Sequence, residues 1–120
     1  MRPLYVFTPS ISDSRAARQI SALHENKAEA EERQLVLVLE DQSQTLATLP
    51  EDLTLRLTRQ DSDQAAARRR FKVSQGDFTV ILVGKDGEEK LRSRQAIPFA
   101  RLRKIIDGMP MRQQEMHKKH

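Results

Sequence analysis

The sequence predicts a mixed α/β domain with the element order β-α-β-α-β-β-α and a mixed sheet of four or five strands flanked by helices. Two wholly apolar runs, Leu4–Phe7 and Leu35–Leu39, predict buried strands on either side of a helix. A third apolar run, Phe78–Val83, leads into a glycine-containing hairpin turn. The 120 residues suit one domain, residues 1–120, whose end from 109 to 120 is predicted to be a basic tail.

The first half of the chain has the pattern of a βαβ unit. Leu4–Phe7 predicts a central strand, and Ser12 or Asp13 is placed to cap the helix that follows. The apolar residues of that helix recur at helical spacing: Ala16, Ala17, Ile20 and Leu23. The charged stretch Glu25–Arg33 is predicted to continue the same helix into solvent before the strand Leu35–Leu39.

The second half is predicted to add an edge strand, a helix, a hairpin and a closing helix. Apolar and polar residues alternate through Leu53–Thr58, as they do in a half-buried edge strand. Asp61 and Gln64 resemble a capping box that opens a helix reaching Phe71. The remaining predicted boundaries are the turn Gly84–Gly87, the return strand Glu88–Arg92, Pro98 in the first turn of the last helix, and Gly108 at its end.

Composition excludes several classes of chemistry. The chain has no cysteine, which rules out disulfides, thiol catalysis and cysteine-ligated metal. Its net charge of +4 is a modest basic bias that can favour anionic partners. Nucleic acid is disfavoured, because no aromatic residues alternate with the basic ones to stack on bases. No apolar run approaches the roughly 20 residues that a membrane span needs.

Three further expectations concern location and assembly. Met1 stands only a few residues before the first strand, so we expect an upstream export signal to have been removed from a periplasmic or secreted protein. Without such a signal, the protein would be cytoplasmic. We expect a monomer or weak homo-oligomer whose partner, if any, is another protein.

The segment after the first strand resembles the active-site turn of thioredoxin. Aligning Phe7–Arg15 with that turn places Ile11 and Ser14 where the two cysteines of thioredoxin stand. Arg70–Val73, before Phe78, similarly resembles the approach to the cis-proline of that family. Phe78 occupies the proline position, so both hallmarks of thiol–disulfide exchange are absent.

Three segments in the last third carry a closer resemblance: Phe78–Gly87, Lys90–Ser93 and Ile106–Gln113. They are similar to the peroxiredoxin-like domain of unknown function found in bacterial exported proteins and in animal extracellular sushi-repeat and matrix-associated proteins. The resemblance implies a thioredoxin-like fold, frequent export from the cytoplasm and no established enzymatic activity. In the animal proteins it implies adhesion and matrix contacts.

The turn in the thioredoxin active-site position is the first candidate site, with residues Ser10, Ile11, Ser12, Asp13, Ser14 and Arg15. A helix begins there, so its free N–H groups and the serine hydroxyls could hold a small anion. Serine is a weak nucleophile without a neighbouring base, and no histidine lies nearby in the sequence. The alternative is that the turn only caps the helix.

The second candidate site is cationic, with Arg68, Arg69, Arg70, Arg92 and Arg94 as candidate anion-binding residues. Lys72 adds to the densest part of this cluster. Consecutive helical positions point in different directions, so a solvated helix surface is the alternative.

The third candidate is a partner-binding segment, with residues Met109, Pro110, Met111, Arg112, Gln113 and Met116. Exposed methionines adapt readily to different partners. The alternative is that they fold back over the core of the chain itself after the glycine that ends the helix.

The sequence contains no recognisable catalytic constellation, metal-binding motif or cofactor motif. A non-enzymatic binding or interaction module is therefore the favoured hypothesis. The alternatives are a divergent peroxiredoxin-derived enzyme without thiol chemistry and an anion-binding domain.

Overall fold

The computed structural model describes residues 1–42, 55–57 and 61–117, in which five strands form one mixed sheet. The strands are β1 (Arg2–Thr8), β2 (Leu35–Asp41), β3 (Leu55–Leu57), β4 (Thr79–Val83) and β5 (Glu89–Ser93). Their order across the sheet is β3-β2-β1-β4-β5. β2 is parallel to both β1 and β3, whereas β4 is antiparallel to β1 and to β5.

Helices cover both faces of this sheet. They are α1 (Ser14–Glu25), α2 (Lys27–Glu32), α3 (Asp61–Phe71), α4 (Phe99–Asp107) and α5 (Pro110–His117). Side chains alternate along β1, so Leu4 and Val6 join one core cluster with residues of α1, α2 and α4. Phe7 points to the opposite face and joins Phe71 of α3 in a second cluster. The sheet is thus buried between helices, as the apolar strand sequences require.

The predicted fold class is confirmed. The element order and the mixed sheet are those of a thioredoxin-like α/β domain, with β3 as an additional edge strand beside β2. Leu53, Thr54 and Thr58, which the predicted edge strand also includes, lie outside the described residues. The predicted capping box at Asp61 and Gln64 depends on side chains that are likewise outside the description.

The first helix is shorter than predicted. Asp13 caps α1 by accepting a hydrogen bond from the Arg15 N–H, which confirms one of the two predicted caps. The helix does not continue to Arg33, because Asn26 leaves helical geometry and its side chain donates to the Ala22 carbonyl at 2.7 Å. A separate short helix, α2, follows. Asparagine ends the helix because its amide competes for backbone hydrogen bonds.

The hairpin and the closing helix follow their sequence signals. The Gly84 N–H donates to the Glu88 carbonyl at 2.9 Å, and Gly87 has a φ of 83°, a conformation that glycine adopts without steric cost. Pro98 caps α4, and Gly108 ends it. Within the described residues, no helix is both long and apolar enough to cross a bilayer.

The segment predicted as a basic tail contains a fifth helix, α5, as far as His117. The side chains that hold α5 against the domain are charged: Arg112 of α5 is buried, and Glu115 forms an ion pair with the fully buried Arg2. Apolar periodicity therefore gives little sign of this helix. Residues 118–120 lie outside the description.

Candidate functional site

Buried polar side chains gather at the carboxyl ends of β1 and β2. Thr8 lies opposite Asp41 at the last register position of this strand pair, and Phe7 lies opposite Glu40. Sites for ligands in α/β sheets commonly lie beyond such strand ends. We call this group the polar end; its buried members are Thr8, Glu40, Asp41, Arg68 and Thr79.

The turn Ser10–Arg15 follows directly on β1 and is closed by its own hydrogen bonds. The Thr8 hydroxyl donates to the Ser10 carbonyl at 2.6 Å, and the Ser10 N–H donates back to that hydroxyl at 3.3 Å. The hydroxyls of Ser10 and Ser12 are hydrogen-bonded to each other at 2.8 Å. The first two serines of the turn therefore engage one another and the backbone.

Both carboxylate oxygens of Asp13 accept hydrogen bonds from Arg15. Oδ1 accepts from the Arg15 backbone N–H at 2.9 Å and from its Nε at 3.0 Å, while Oδ2 accepts from Nη2 at 2.8 Å. The side-chain hydrogen bond to Arg15 is the main reason that the pKa of Asp13 is lowered to about 2. Asp13 is thus an ionised cap at neutral pH and a poor proton acceptor.

Phe78, the residue aligned with the cis-proline of thioredoxin, contacts this turn. The guanidinium carbon of Arg15 lies 4.7 Å from the centre of the buried Phe78 ring, a cation–π distance. The pKa of Arg15 is raised, first by its hydrogen bond to Asp13 and further by the nearby carboxylate of Asp77. The structure therefore joins the two segments that resemble the thioredoxin site.

The two positions aligned with the cysteines differ in environment. Ile11 is partly buried and packs against the main core cluster, whereas Ser14 is exposed at the first position of α1. The side chain at the first cysteine position thus contributes apolar packing. This arrangement stabilises the entry into α1 and presents no nucleophile at Ile11.

Arg68 is the one cation among the residues that define the polar end. Only 7% of the residue is exposed, and its Nη1 donates to the Ser74 carbonyl at 2.8 Å. Its Nη2 has no hydrogen-bond partner within the described part of the chain. Burial lowers the pKa of Arg68, and the carboxylates of Glu40 and Asp77 oppose that shift. A buried guanidinium with an open donor is costly unless something accepts from it.

An open surface depression of about 460 Å³ lies at the carboxyl end of α3, and Arg68 is one of its lining residues. We call it the α3 cavity. Its described lining residues are Ala65, Arg68, Arg69, Lys72, Val73, Ser74 and Gln75. Three of these seven are cations, and none is acidic. The cavity is therefore suited to an anion rather than to a metal ion.

Lys72 adopts the left-handed conformation that ends α3. Its φ is 56°, and the Val73 N–H donates to the Arg68 carbonyl at 2.9 Å. The Lys72 N–H donates to the Arg69 carbonyl at 3.3 Å, which completes a Schellman motif. Glycine is the usual residue at this position, so a lysine here carries a steric cost.

The five predicted anion-binding arginines do not form one patch. Arg68 and Arg69 line the α3 cavity, but Arg70 turns to the Phe71 ring at 4.6 Å and to the Gly87 carbonyl at 3.2 Å. Arg92 pairs with Glu89 at 2.7 Å, and Arg94 is exposed beyond β5. Two of the five predicted arginines therefore lie at one depression, and the directions of the other three side chains could not be read from the sequence.

Lys72 is recognisable from the sequence as part of the cationic cluster, but nothing in the sequence places Ser74, Gln75 and the buried Glu40 beside these cations. One feature of the sequence points to this site: a lysine, Lys72, follows the last residue of α3, where glycine is usual. Burial of an arginine has no sequence signature, because the residue type is usually exposed.

The predicted partner-binding segment is divided between core and surface. Met109 is buried in the main core cluster, and Arg112 is 2% exposed. Met111 is 45% exposed, Pro110 and Gln113 are also exposed, and Met116 is half-buried. Partner binding by this segment stays a prediction, with Met111 at its centre.

Charged residues fix α5 to the start of β1. Both oxygens of Glu115 accept from Arg2, at 3.2 and 2.9 Å, and one also accepts from Lys85 at 2.6 Å. Arg112 donates to Asp107 at 3.2 Å. Further pairs in this network are Arg33–Asp107 and Arg112–Glu32. The network lies at the amino end of β1, whereas the polar end lies at its carboxyl end, and its role is structural.

A family model described as Domain of unknown function (DUF4174) matches residues 1–115. The chain belongs to this family. No curated protein and no solved structure matches the chain. The family description names no activity. In the part of the chain that the structure describes, no three His, Asp or Glu side chains are grouped to hold a metal ion.

Proposed function

We propose that this protein is a non-enzymatic binding module on a thioredoxin-like scaffold of peroxiredoxin-like ancestry. The main support is that the polar side chains of the turn Ser10–Arg15 are engaged with one another rather than free to react. Its carboxylate is held by its own arginine, two of its hydroxyls bond each other, and Ile11 packs into the core. A site built for reaction needs a group that is free to attack or to exchange a proton.

Each alternative chemistry at this turn meets a specific obstacle. Thiol exchange requires cysteine, and the chain has none. A serine nucleophile requires a base, but the nearest carboxylate, Asp13, has its pKa lowered to about 2 by Arg15 and is a weak base at neutral pH. The contacts instead serve α1, whose first turn Asp13 caps. Binding, rather than turnover, is what this scaffold supports.

We further propose that the native protein acts outside the cytoplasm, in the periplasm or secreted from a bacterial cell. The support is the resemblance of Phe78–Gly87 and Ile106–Gln113 to domains that are frequently exported. Fractionation of cells that express the intact gene would test this location. Recovery of the protein only from the cytoplasm would contradict it.

The purified chain is expected to show no turnover with hydrogen peroxide or with a disulfide substrate in the presence of dithiothreitol, because it offers no thiol and no activated hydroxyl. The measurement is steady-state consumption of peroxide or disulfide against a buffer blank. The Ile11→Cys/Ser14→Cys double variant is the matched control. It should form an intramolecular disulfide on oxidation, since those positions align with the paired cysteines of thioredoxin.

Two results would contradict the proposal. Peroxide or disulfide consumption by the unaltered chain, in proportion to its concentration, would mean that the turn or another group is catalytic. Failure of the folded double variant to form its disulfide would contradict the thioredoxin-like alignment of this turn.

A further inference from the structure

The α3 cavity combines several features that point to a ligand. It has a volume of about 460 Å³, enough for a small organic molecule. Arg68, Arg69 and Lys72 provide its positive charge, and Ala65 and Val73 provide apolar wall. An anionic group attached to a small apolar body would match both kinds of lining.

The buried guanidinium of Arg68 provides the second, independent observation. Nη1 donates to the Ser74 carbonyl, and the guanidinium carbon lies 5.5 Å from the centre of the Phe7 ring. These contacts fix its position. Nη2 is shielded from solvent and has no partner among the described residues. A small rotation of the guanidinium would bring this donor to an oxyanion in the cavity, where it would make a charge-assisted hydrogen bond, the strongest kind that arginine makes.

The conformation of Lys72 provides the third observation. A lysine at a φ of 56° stands where glycine would be favoured on steric grounds. Strained non-glycine residues of this kind are common at sites that bind ligands. The strain at Lys72 puts a third cation on the wall of the α3 cavity.

Helix capping is the structural alternative for these cations, since lysine and arginine stabilise the negative end of a helix dipole. The dipole is equivalent to about half a negative elementary charge at the carboxyl end of the helix. A cation can interact with that charge whether or not a cavity lies beside it. This interaction explains Arg69 and Lys72 at the last turn of α3. It does not explain Arg68, whose charge is balanced in part by the carboxylates of Glu40 and Asp77 but whose buried Nη2 has no partner among the described residues.

We propose that the α3 cavity binds a small organic anion, whose phosphate or carboxylate group accepts hydrogen bonds from Arg68, Arg69 and Lys72 while its apolar body contacts Ala65 and Val73. The inference deepens the proposed binding function by naming its ligand class, and it rests on that function. Other arginines of the predicted cluster do not take part, because Arg70 and Arg92 contact other groups.

Isothermal titration with phenyl phosphate at constant ionic strength tests this proposal, with benzoate and inorganic phosphate as comparison probes. We expect saturable binding at one site per chain. Phenyl phosphate should bind more tightly than inorganic phosphate, because only the former has an apolar body. Comparison of phenyl phosphate with benzoate then determines which anionic group the cavity prefers.

Lys72→Gly is the most informative variant, because its expected effects on affinity and stability have opposite signs. Removal of the cation should weaken binding about tenfold, the equivalent of one charge-assisted contact. Relief of the positive φ should raise the thermal midpoint by about 3–5 °C. Loss of affinity in a more stable protein cannot be attributed to unfolding.

Two control variants complete the design. Gln34, at the opposite end of the sheet, also has a positive φ, of 57°, so Gln34→Gly should raise the thermal midpoint and leave affinity unchanged. Arg70→Gln removes a charge from α3 outside the cavity and should leave affinity within twofold, whereas Arg69→Gln should weaken binding by about tenfold.

The absence of saturable binding by every probe would overturn the proposal, as would unchanged affinity in Lys72→Gly. Equal losses in Arg70→Gln and Arg69→Gln would also overturn it, because they would indicate attraction to general positive charge. The titrations measure ligand affinity, whereas the proposed non-enzymatic function is tested by the peroxide and disulfide turnover assays. Failure of the ligand assignment is therefore distinguishable from failure of the proposed function.

Discussion

Replacement of Glu115 by glutamine is expected to lower the free energy of unfolding by about 3 kcal/mol at pH 7. The carboxylate of Glu115 neutralises the charge of Arg2, which is 0% exposed. It also accepts a hydrogen bond from Lys85. Glutamine keeps the size of the side chain but removes its charge, so the buried guanidinium loses its counter-ion. Urea unfolding of the variant and of the unaltered chain measures the difference. Glu31→Gln, on the exposed side of α2, is the matched control and should change stability by less than about 0.5 kcal/mol.

The same substitution should alter the pH dependence of stability. The hydrogen bonds from Arg2 are the main reason that the pKa of Glu115 falls from 4.5 to about 2. Between these two values the unfolded chain binds more protons than the folded one, so stability falls as the pH falls through this range. The Glu115→Gln variant lacks this titration. The difference in the free energy of unfolding between the unaltered chain and the variant should therefore narrow from pH 5 towards pH 2. A constant difference across that range would contradict the ion-pair account.

Replacement of Gln19 by leucine is expected to cost about 2–4 kcal/mol, because two buried backbone groups would lose their partners. Gln19 is 0% exposed. Its Nε2 donates to the Ile97 carbonyl at 3.1 Å, and its Oε1 accepts from the Ile97 N–H at 2.7 Å. This reciprocal pair joins α1 to the chain just before α4. Leucine fills similar space but can neither donate nor accept.

Arg18→Leu is the matched control for this prediction, since Arg18 is the exposed neighbour of Gln19 on α1. Urea unfolding should show a change of less than about 0.5 kcal/mol for that control. Equal effects of the two leucine substitutions would contradict the role assigned to the hydrogen bonds between Gln19 and Ile97.

Local signals in the sequence were sufficient for most of the fold. Apolar runs identified β1, β2 and β4, and the glycines at 84 and 87 identified the hairpin. The signals failed where polar side chains determine structure. Asn26 breaks the first helix through its own amide, and α5 is held by Arg112 and Glu115, residue types that normally mark a solvated surface.

The candidate site was predicted only in part, for a related physical reason. Asp13 was identifiable as a cap because capping is local in sequence. The pairing of Arg2 with Glu115 spans 113 residues, and no local pattern contains it. Arg68 was identified as a cation, but its burial and its open donor depend on the packing of α3 against β1. Lys72 acquires its left-handed conformation from the end of that same helix.

We propose that this scaffold binds ligands at the α3 cavity and that the turn Ser10–Arg15 serves as a helix cap. Amide chemical-shift mapping of the intact chain during titration with phenyl phosphate distinguishes these two roles. We expect saturable perturbations centred on Arg68–Gln75, with the amides of Ser10–Arg15 unmoved. Perturbations centred on Ser10–Arg15, or no saturable perturbation in any part of the chain, would contradict it.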